Sequence, residues 1–195
     1  MKLIIVTQNK NKVREFQEMM GNIVTVQTIY DLDPNHIPAI EDGATFEENA
    51  IKKIESIQPL SDTLFLADDS GLCIESLNNT PGIYSARFAN DYGGFKAAGE
   101  ELIRQLSTHT NRNACFQCAI ALKDPKGYVQ TVLGRVDGSI TTRWVGTKGF
   151  GYDPIFKPNG ENRTFAEFQM EEKNQVSHRA KALEKLFPLI EEYIA

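Results

Sequence analysis

Short apolar runs alternate with amphipathic stretches through the first half of the chain. Residues 2–7 contain an apolar run of four residues and predict a buried strand, and residues 9–20 follow with apolar side chains at helical spacing. A second helix is predicted to begin near Thr45, which is followed by acidic residues typical of a first turn. Residues 113–122 and 128–141 predict two long strands joined as a hairpin. This mixture predicts an α/β protein with a mixed sheet.

Size and charge limit the classes of function. The chain has 195 residues, 41% of them hydrophobic and 24% charged, which predicts one folded domain over residues 1–195 and excludes a disordered chain. Its net charge of −5 argues against a nucleic-acid-binding face, although a few lysines can still hold a small polyanion. No apolar run approaches the roughly 20 residues of a membrane span. The apolar start is also too short for a signal peptide, so we expect a cytoplasmic protein that binds no membrane.

The three cysteines do not form a predicted disulfide framework, because their number is odd and no export signal precedes them. Cys115 and Cys118 spell a C-x-x-C pattern within a predicted strand. Residues three apart on a strand point to opposite faces, so this pair is not expected to share a bond or a metal.

Polar residues at the turn from the first strand into the first helix are the first candidate site. Thr7 and Asn9 can hydrogen-bond a phosphate, the helix start offers unpaired amides, and Lys12 adds positive charge. An ordinary helix cap with solvated lysines explains the same pattern.

A second candidate lies around the predicted helix at Thr45. Glu41 precedes this helix and could ligate a hard cation, and Lys53 lies two turns beyond the cap. Thr45 and Glu48 fit a capping box, and a solvated acidic first turn is the alternative interpretation.

A pair of acids, Asp68 and Asp69, follows the apolar run Leu64–Ala67, and Ser70 comes next. Adjacent carboxylates are costly to bring together, so a cation or a proton must offset their repulsion. A divalent metal with phosphate would do so, and a simple turn is the alternative. We expect the strand to end at these acids and a new strand to begin at Leu72.

Two later stretches could surround a nucleobase. Gly149–Pro154 specifies a tight loop that would display Phe150 for stacking, although a turn with a core-facing aromatic is the better interpretation of this stretch in isolation. His178 and Arg179 lie in the first turn of the last predicted helix, where cations oppose the helix dipole. Their placement, with Lys173 one turn earlier, indicates an anion or a base edge nearby.

These stretches, together with residues 81–87, resemble in residue type and order the motifs of the inosine triphosphate pyrophosphatases, which act on non-standard purine nucleoside triphosphates. Each motif is weak by itself, but six in this order are specific. The matching stretches begin at Thr7, Glu41, Ala67, Pro81, Gly149 and Glu171.

The resemblance implies a long central mixed sheet flanked by helices, with two lobes, an active-site cleft between them, and a homodimer. It implies Mg²⁺-dependent hydrolysis of ITP, dITP and XTP to the monophosphate and pyrophosphate. Glu41 and Asp69 would hold the metal, and Asp69 would also be the catalytic base. The residues that would bind the substrate are Thr7, Asn9, Lys12, Lys53, Ser70, Phe150, Gly151, Tyr152, Asp153, Lys173, His178 and Arg179.

Physical chemistry is consistent with that implication. A triphosphate must be neutralised before water can approach its phosphorus, and lysines with Mg²⁺ would do this. Arg179 only donates hydrogen bonds, so it would favour the 6-keto group of inosine and xanthosine over the amino group of adenosine. Two rivals stay open: a sensor that binds a purine triphosphate without cleaving it, and a related enzyme that acts on a pyrimidine or another NTP.

Overall fold

The structure, a computed structural model, describes residues 1–194, so the predicted domain end at Ala195 lies outside it. Strands and helices alternate at first, as expected. The strands are β1 (Lys2–Ile5), β2 (Thr25–Thr28), β3 (Thr63–Ile74), β4 (Thr80–Pro81), β5 (Asn113–Lys123), β6 (Val129–Ile140) and β7 (Phe156–Pro158). The helices are α1 (Lys10–Met20), α2 (Ile29–Leu32), α3 (Phe46–Glu55), α4 (Ser85–Asp91), α5 (Phe95–Gln105), α6 (Met170–Val176) and α7 (His178–Ile194).

Within residues 1–194 the strands form one seven-stranded sheet in the order β2-β1-β3-β5-β6-β7, with β4 beside β3. β1 runs parallel to β2 and β3, because α1 and α3 lie on the connections that return the chain to the same sheet edge. β4 and β7 pair in antiparallel fashion with β3 and β6. The prediction of an α/β fold with a mixed sheet is confirmed.

The expectation that a strand ends at Asp68 and Asp69 is wrong. β3 continues from Thr63 to Ile74 and carries both acids in its middle. The two carboxylates find partners on separate helices, Lys12 of α1 for Asp68 and Asn49 of α3 for Asp69. Each acid thus has a partner while it remains within the sheet.

Two compact units make up the chain. Unit 1 comprises residues 1–69, 118–134 and the described residues from Ala180 onward, and unit 2 comprises Ser70–Gln117 and Arg135–Arg179. Each unit has its own apolar core. Unit 1 packs side chains of β1, β3, β5, α1 and α7, including Leu3, Phe16, Leu64, Ile120 and Leu186. Unit 2 packs side chains of β3, β5, β6, β7 and α5, including Leu72, Leu102, Phe116, Val136 and Phe156.

Helix ends follow the expected signals in part. Asn9 caps α1 by accepting from the amides of Asn11 and Lys12. Thr45 caps α3 by accepting from Glu48 N at 3.1 Å. The expected return bond differs, because the Glu48 carboxylate accepts from Ala44 N, at 2.8 Å, one residue earlier than a capping box requires.

Three features near the helices were not expected. α4 precedes Gly93 and Gly94, whose positive φ angles of 78° and 134° turn the chain before α5 begins. α6 forms before Ser177, and α7 continues through Pro188, where the sequence predicts a kink or the end of its regular part. Among the described residues, no helix has both the length and the apolar character needed to span a membrane.

Candidate active site

Charged side chains of unit 1 converge on the middle of β3. Three are carboxylates and two are ammonium groups, so the set carries one excess negative charge when all are ionised. We call this set the charge cluster, and its members are Lys12, Glu41, Lys53, Asp68 and Asp69. All five lie in stretches that the sequence singled out.

Lys53 is the residue that joins two of the predicted functional groups. Its Nζ lies 3.2 Å from Glu41 Oε1 and 3.4 Å from Asp69 Oδ1, and it donates to the carbonyl oxygen of Asp68 at 3.0 Å. Its position near the end of α3 places the ammonium beside β3. The two carboxylates therefore converge on one cation.

Asn49 fixes the geometry of this convergence. It is fully buried, and its Nδ2 donates to Asp69 Oδ2 at 3.1 Å, while its Oδ1 accepts from Gly43 N at 2.8 Å. A side chain at Gly43 would place Cβ 2.7 Å from that Oδ1, so a glycine is needed for this close approach. One amide thus joins the loop after Glu41 to the predicted base.

Lys12 occupies the other side of β3. Its Nζ lies 2.9 Å from Asp68 Oδ2, and the Asp68 side chain is fully buried. Cys118 Sγ lies 3.7 Å from the same oxygen. In this structure Lys12 neutralises a buried acid, so a phosphate held by Lys12 would share its ammonium with Asp68.

Burial and neighbouring charges act against each other on the pKa values of Lys53 and Asp69. Burial works against the charged form of Lys53, but Asp69, Glu41 and Asp68 outweigh it and raise the pKa of Lys53. Burial is also the largest influence on Asp69, and it raises the pKa of that carboxyl despite the opposing effect of Lys53 and Lys12. Asp69 therefore accepts a proton more readily than an ordinary aspartate does.

The predicted phosphate-binding turn lies between β1 and α1. Asn9 uses its side-chain oxygen as the helix cap, and Thr7 Oγ1 accepts from Asn9 N at 3.2 Å. Both side chains are half-buried. The cap interpretation is correct for Asn9 Oδ1, while its Nδ2 and the Thr7 hydroxyl proton are donors that could still meet a phosphate.

The residues present fit a magnesium ion bound together with a phosphate. Within residues 1–194 no group of three or more His, Cys, Asp or Glu side chains is placed to hold an ion. Glu41 and Asp69 nevertheless present oxygens to one point, which the Lys53 ammonium occupies. Mg²⁺ commonly takes one or two carboxylates, with water and substrate phosphates as its remaining ligands.

The second group of predicted residues lies in unit 2, around the start of α7. Asp153 Oδ2 accepts from Lys173 Nζ at 2.6 Å and from Phe150 N at 2.8 Å. The Lys173 ammonium lies 4.6 Å from the centre of the Phe150 ring. Phe150 is half-buried, whereas Asp153 and Lys173 are buried. The loop therefore holds one aromatic face beside a buried ion pair.

His178 and Arg179 are also engaged with unit 2. The His178 ring stacks on Phe116, with centroids 4.7 Å apart and planes at 12°. Arg179 Nη2 donates to Ser70 Oγ at 3.2 Å, and the Arg179 side chain is fully buried. Predicted base-binding residues are thus brought together, but most of their polar atoms are covered by protein.

Tyr152 and Gly151 take different positions in the loop. The Tyr152 ring is buried, and its hydroxyl donates to the carbonyl oxygen of Ser85 at 3.0 Å, so the core-facing interpretation applies to this side chain. Burial raises the pKa of Tyr152. Gly151 has a φ of 65°, which accounts for a glycine at that point.

Sequence reasoning assigned no role to Asn49 or Phe116. A signal existed for Asn49, because it lies on the apolar face of α3 beside Phe46 and Ala50, where a polar residue needs a partner. Phe116 is one of several apolar residues in a buried strand, and nothing in the sequence distinguishes it as the platform under His178.

Comparison with known proteins gives the family. A profile of the Ham1 family matches residues 3–189. A dITP/XTP pyrophosphatase of Leuconostoc mesenteroides is 43% identical over 195 residues, covering 95% of this chain and 94% of that protein. A dITP/XTP pyrophosphatase of Bacillus licheniformis is 41% identical over 194 residues, covering 97% and 98%.

Solved structures agree with this assignment. The Ham1 protein of Staphylococcus aureus superposes with a TM-score of 0.85 at 36% identity, covering 98% of this chain and 99% of that one. A nucleoside-triphosphatase/dITP/XTP pyrophosphatase of Mycobacterium abscessus superposes with a TM-score of 0.75 at 39% identity, covering 96% and 100%. The profile match and these near-complete alignments agree, and the chain belongs to the Ham1 family.

Proposed function

We propose that this protein hydrolyses dITP, XTP and ITP to the nucleoside monophosphate and pyrophosphate. The observation that carries the proposal is the placement of the Lys53 ammonium 3.2 Å from Glu41 and 3.4 Å from Asp69, in the same unit as Lys12. This is the arrangement of acids and lysines that a triphosphate and its cation require. The related dITP/XTP pyrophosphatases support the substrate class.

Charge balance explains why the substrate needs a cation. The charge cluster has one excess negative charge, and a triphosphate brings about four more. Lys53 would exchange part of its contact with Glu41 and Asp69 for phosphate oxygens, and the amides at the start of α1 would add donors. Glu41 and Asp69 would hold Mg²⁺, which would neutralise phosphate charge when bound.

Asp69 would act as the base in the chemical step. Its carboxylate takes a proton from water as the water oxygen bonds to the α-phosphorus. The bond from that phosphorus to the bridging oxygen breaks, and pyrophosphate leaves with the bonding electrons. Asp69 then returns the proton to solvent. Asn49 keeps Oδ2 in a fixed direction, which leaves Oδ1 beside Lys53 to face the water.

Unit 2 would recognise the base. Phe150 offers a half-buried ring for stacking. Arg179 and Lys173 are donors only, which matches a 6-keto purine and mismatches the amino group of adenine. Since Arg179 is fully buried, its contact with a base requires a movement that uncovers the guanidinium.

One assay tests the proposed function against its rivals. Pyrophosphate release is measured from dITP, XTP, ITP, GTP, ATP and dTTP, each with and without Mg²⁺. We expect release from dITP, XTP and ITP that depends on Mg²⁺. If the protein binds a purine triphosphate but releases no pyrophosphate, it is a sensor and not a hydrolase. If dTTP is the preferred substrate, the protein is an enzyme that acts on pyrimidine nucleotides.

A homodimer in the cytoplasm completes the proposal. Exposed aromatic residues on and beside α4 support an interface there, because Tyr84 and Tyr92 are 53% and 44% exposed. Size-exclusion chromatography with light scattering tests this part by itself, and a monomeric mass would remove it.

A further inference from the structure

Cys73 of β3 and Cys115 of β5 lie side by side on neighbouring strands of unit 2. Each thiol lies close enough to influence the pKa of the other. Gln117 Nε2 lies 3.8 Å from Cys73 Sγ and 3.6 Å from Cys115 Sγ, so one amide covers both sulfurs. Cys118, three residues further along β5, lies against Asp68 instead.

The two thiols face away from the core of unit 2. The residues beside them in the strands, Leu72 and Phe116, belong to that core. Side chains alternate along a strand, so Cys73 and Cys115 lie on the opposite face. Both are 4% exposed, and exposed Arg135 and Asp137 of β6 lie close enough to Cys115 to influence its charge. The pair therefore lies on the face of the sheet that also carries the Gln117 side chain.

The surroundings make the two sulfurs unequal. The neighbouring Cys73 thiol, the Gln117 amide and Arg135 stabilise the charged form of Cys115 and lower its pKa, although burial acts against them. The neighbouring Cys115 and burial raise the pKa of Cys73. A thiolate is the nucleophile in thiol chemistry, so Cys115 is the sulfur that reacts first.

We propose that Cys73 and Cys115 form a reversible dithiol–disulfide site, with Cys115 as the attacking sulfur and Cys73 as the resolving one. This site is separate from the charge cluster. Its substrate is a small disulfide such as oxidised glutathione, because a thiol that is only 4% exposed is reached by a small oxidant more readily than by a protein disulfide.

The reaction balances with that oxidant alone. The Cys115 thiolate attacks one sulfur of the small disulfide, which forms a mixed disulfide and releases one thiolate. Cys73 then loses its proton to solvent and attacks the Cys115 sulfur, which forms the Cys73–Cys115 bond and releases the second thiolate. The protein loses two electrons, and the small disulfide is reduced to two thiols after protonation.

Cys118 is an internal control for this chemistry. It lies in unit 1, is 0% exposed, and its Sγ contacts the buried carboxylate of Asp68. A negative neighbour and complete burial both disfavour a thiolate. We therefore expect Cys118 to remain reduced under conditions that oxidise the pair.

The test is incubation of the whole protein with oxidised glutathione, followed by thiol blocking, intact mass and peptide mapping. Wild type should give a Cys73–Cys115 cross-link that dithiothreitol reverses. Cys73→Ser should stop at a stable glutathione adduct on Cys115, because the resolving thiol is missing. Cys115→Ser should give neither product. Circular dichroism on each variant confirms that the small substitution leaves the fold intact.

Two results would overturn the proposal. One is a wild-type protein in which Cys115 stays reduced, or carries glutathione without a bond to Cys73, after prolonged incubation. The other is Cys118 reacting as fast as Cys115, since that would mean oxidation follows unfolding instead of the paired geometry. Neither result depends on whether the protein releases pyrophosphate, so a failure of this proposal is distinguishable from a failure of the proposed function.

Discussion

Asn49 and Asp69 are joined by a buried hydrogen bond in which Asn49 Nδ2 lies 3.1 Å from Asp69 Oδ2. The same amide accepts from Gly43 N at 2.8 Å, two residues beyond Glu41. Asn49 thus connects the loop after Glu41 to Asp69, the two residues predicted to hold the metal, although Asn49 itself is assigned no contact with phosphate or ion.

Asn49→Ala should lower both stability and turnover. The substitution leaves the Gly43 amide and an Asp69 oxygen without their partner, and an unsatisfied buried group costs about 1–3 kcal/mol. Urea unfolding measures the first effect and ITP turnover the second. Glu55→Gln on the exposed end of the same helix is the control and should change neither. An unchanged unfolding midpoint for Asn49→Ala would remove the bridging role.

Asp69→Asn should abolish most turnover while the protein stays folded. The substitution keeps the shape of the side chain but removes its charge and basicity, and general-base catalysis is typically worth ~10²–10⁴-fold. The measurement is kcat for ITP at saturating Mg²⁺, with circular dichroism as the check on folding. Near-normal turnover in this variant would show that another group takes the proton.

The stability of Asp69→Asn relative to wild type should be greater at neutral pH than at acid pH. Because burial raises the pKa of Asp69 in the folded state, the folded protein binds the proton more tightly than the unfolded chain does. Wild type therefore loses stability as the pH rises from the ordinary aspartate value of about 3.9 through the raised pKa. Asp69→Asn lacks this loss. Free energies of unfolding across that range should diverge in favour of the variant, and parallel curves would contradict the shift.

Lys53→Ala should weaken all substrates alike. Lys53 is assigned to the phosphates, so kcat/KM for ITP, XTP and residual GTP should fall by similar factors. Added salt should shrink the difference from wild type, because it screens the contribution of the ammonium. Lys52→Ala is the matched control, since Lys52 pairs with Asp42 outside the charge cluster. A loss confined to one base would place Lys53 at the base instead.

Arg179→Ala should reduce selection between bases. A lost hydrogen bond from a charged donor costs about 1.5–3 kcal/mol, or roughly ten- to a hundredfold. ATP has no 6-keto acceptor, so kcat/KM should fall much more for ITP than for ATP. If both fall together, Arg179 serves the phosphates or the fold. Because Arg179 is buried against Ser70, the unfolding midpoint of the variant is measured alongside.

The sequence predicts the regular elements well where local patterns decide them. The apolar run before α1 and the hairpin of β5 and β6 follow from periodicity and appear as expected. The continuity of β3 does not follow, because it depends on Lys12 and Asn49, which are remote in sequence from the acids they satisfy. Local signals at Asp68 and Asp69 favour a turn, and tertiary partners override them.

The candidate site likewise has some residues that the sequence indicates and some contacts that only the folded chain shows. Polar residues at element ends, such as Thr7 and Glu41, are visible in the sequence because a fold alone gives little reason for them. The stacking of His178 on Phe116 and the pairing of Cys73 with Cys115 depend on which strands become neighbours. Spacing along one strand says nothing about those contacts, so they appear only in the folded chain.

The proposed function depends on attack of water on the α-phosphorus of a 6-keto purine triphosphate bound to the wild-type protein. Hydrolysis of ITP and XTP in water labelled with heavy oxygen tests it directly, with mass spectrometry of both products. We expect the label in the monophosphate and none in the pyrophosphate. Label in the pyrophosphate, or release of inorganic phosphate instead, would contradict the account.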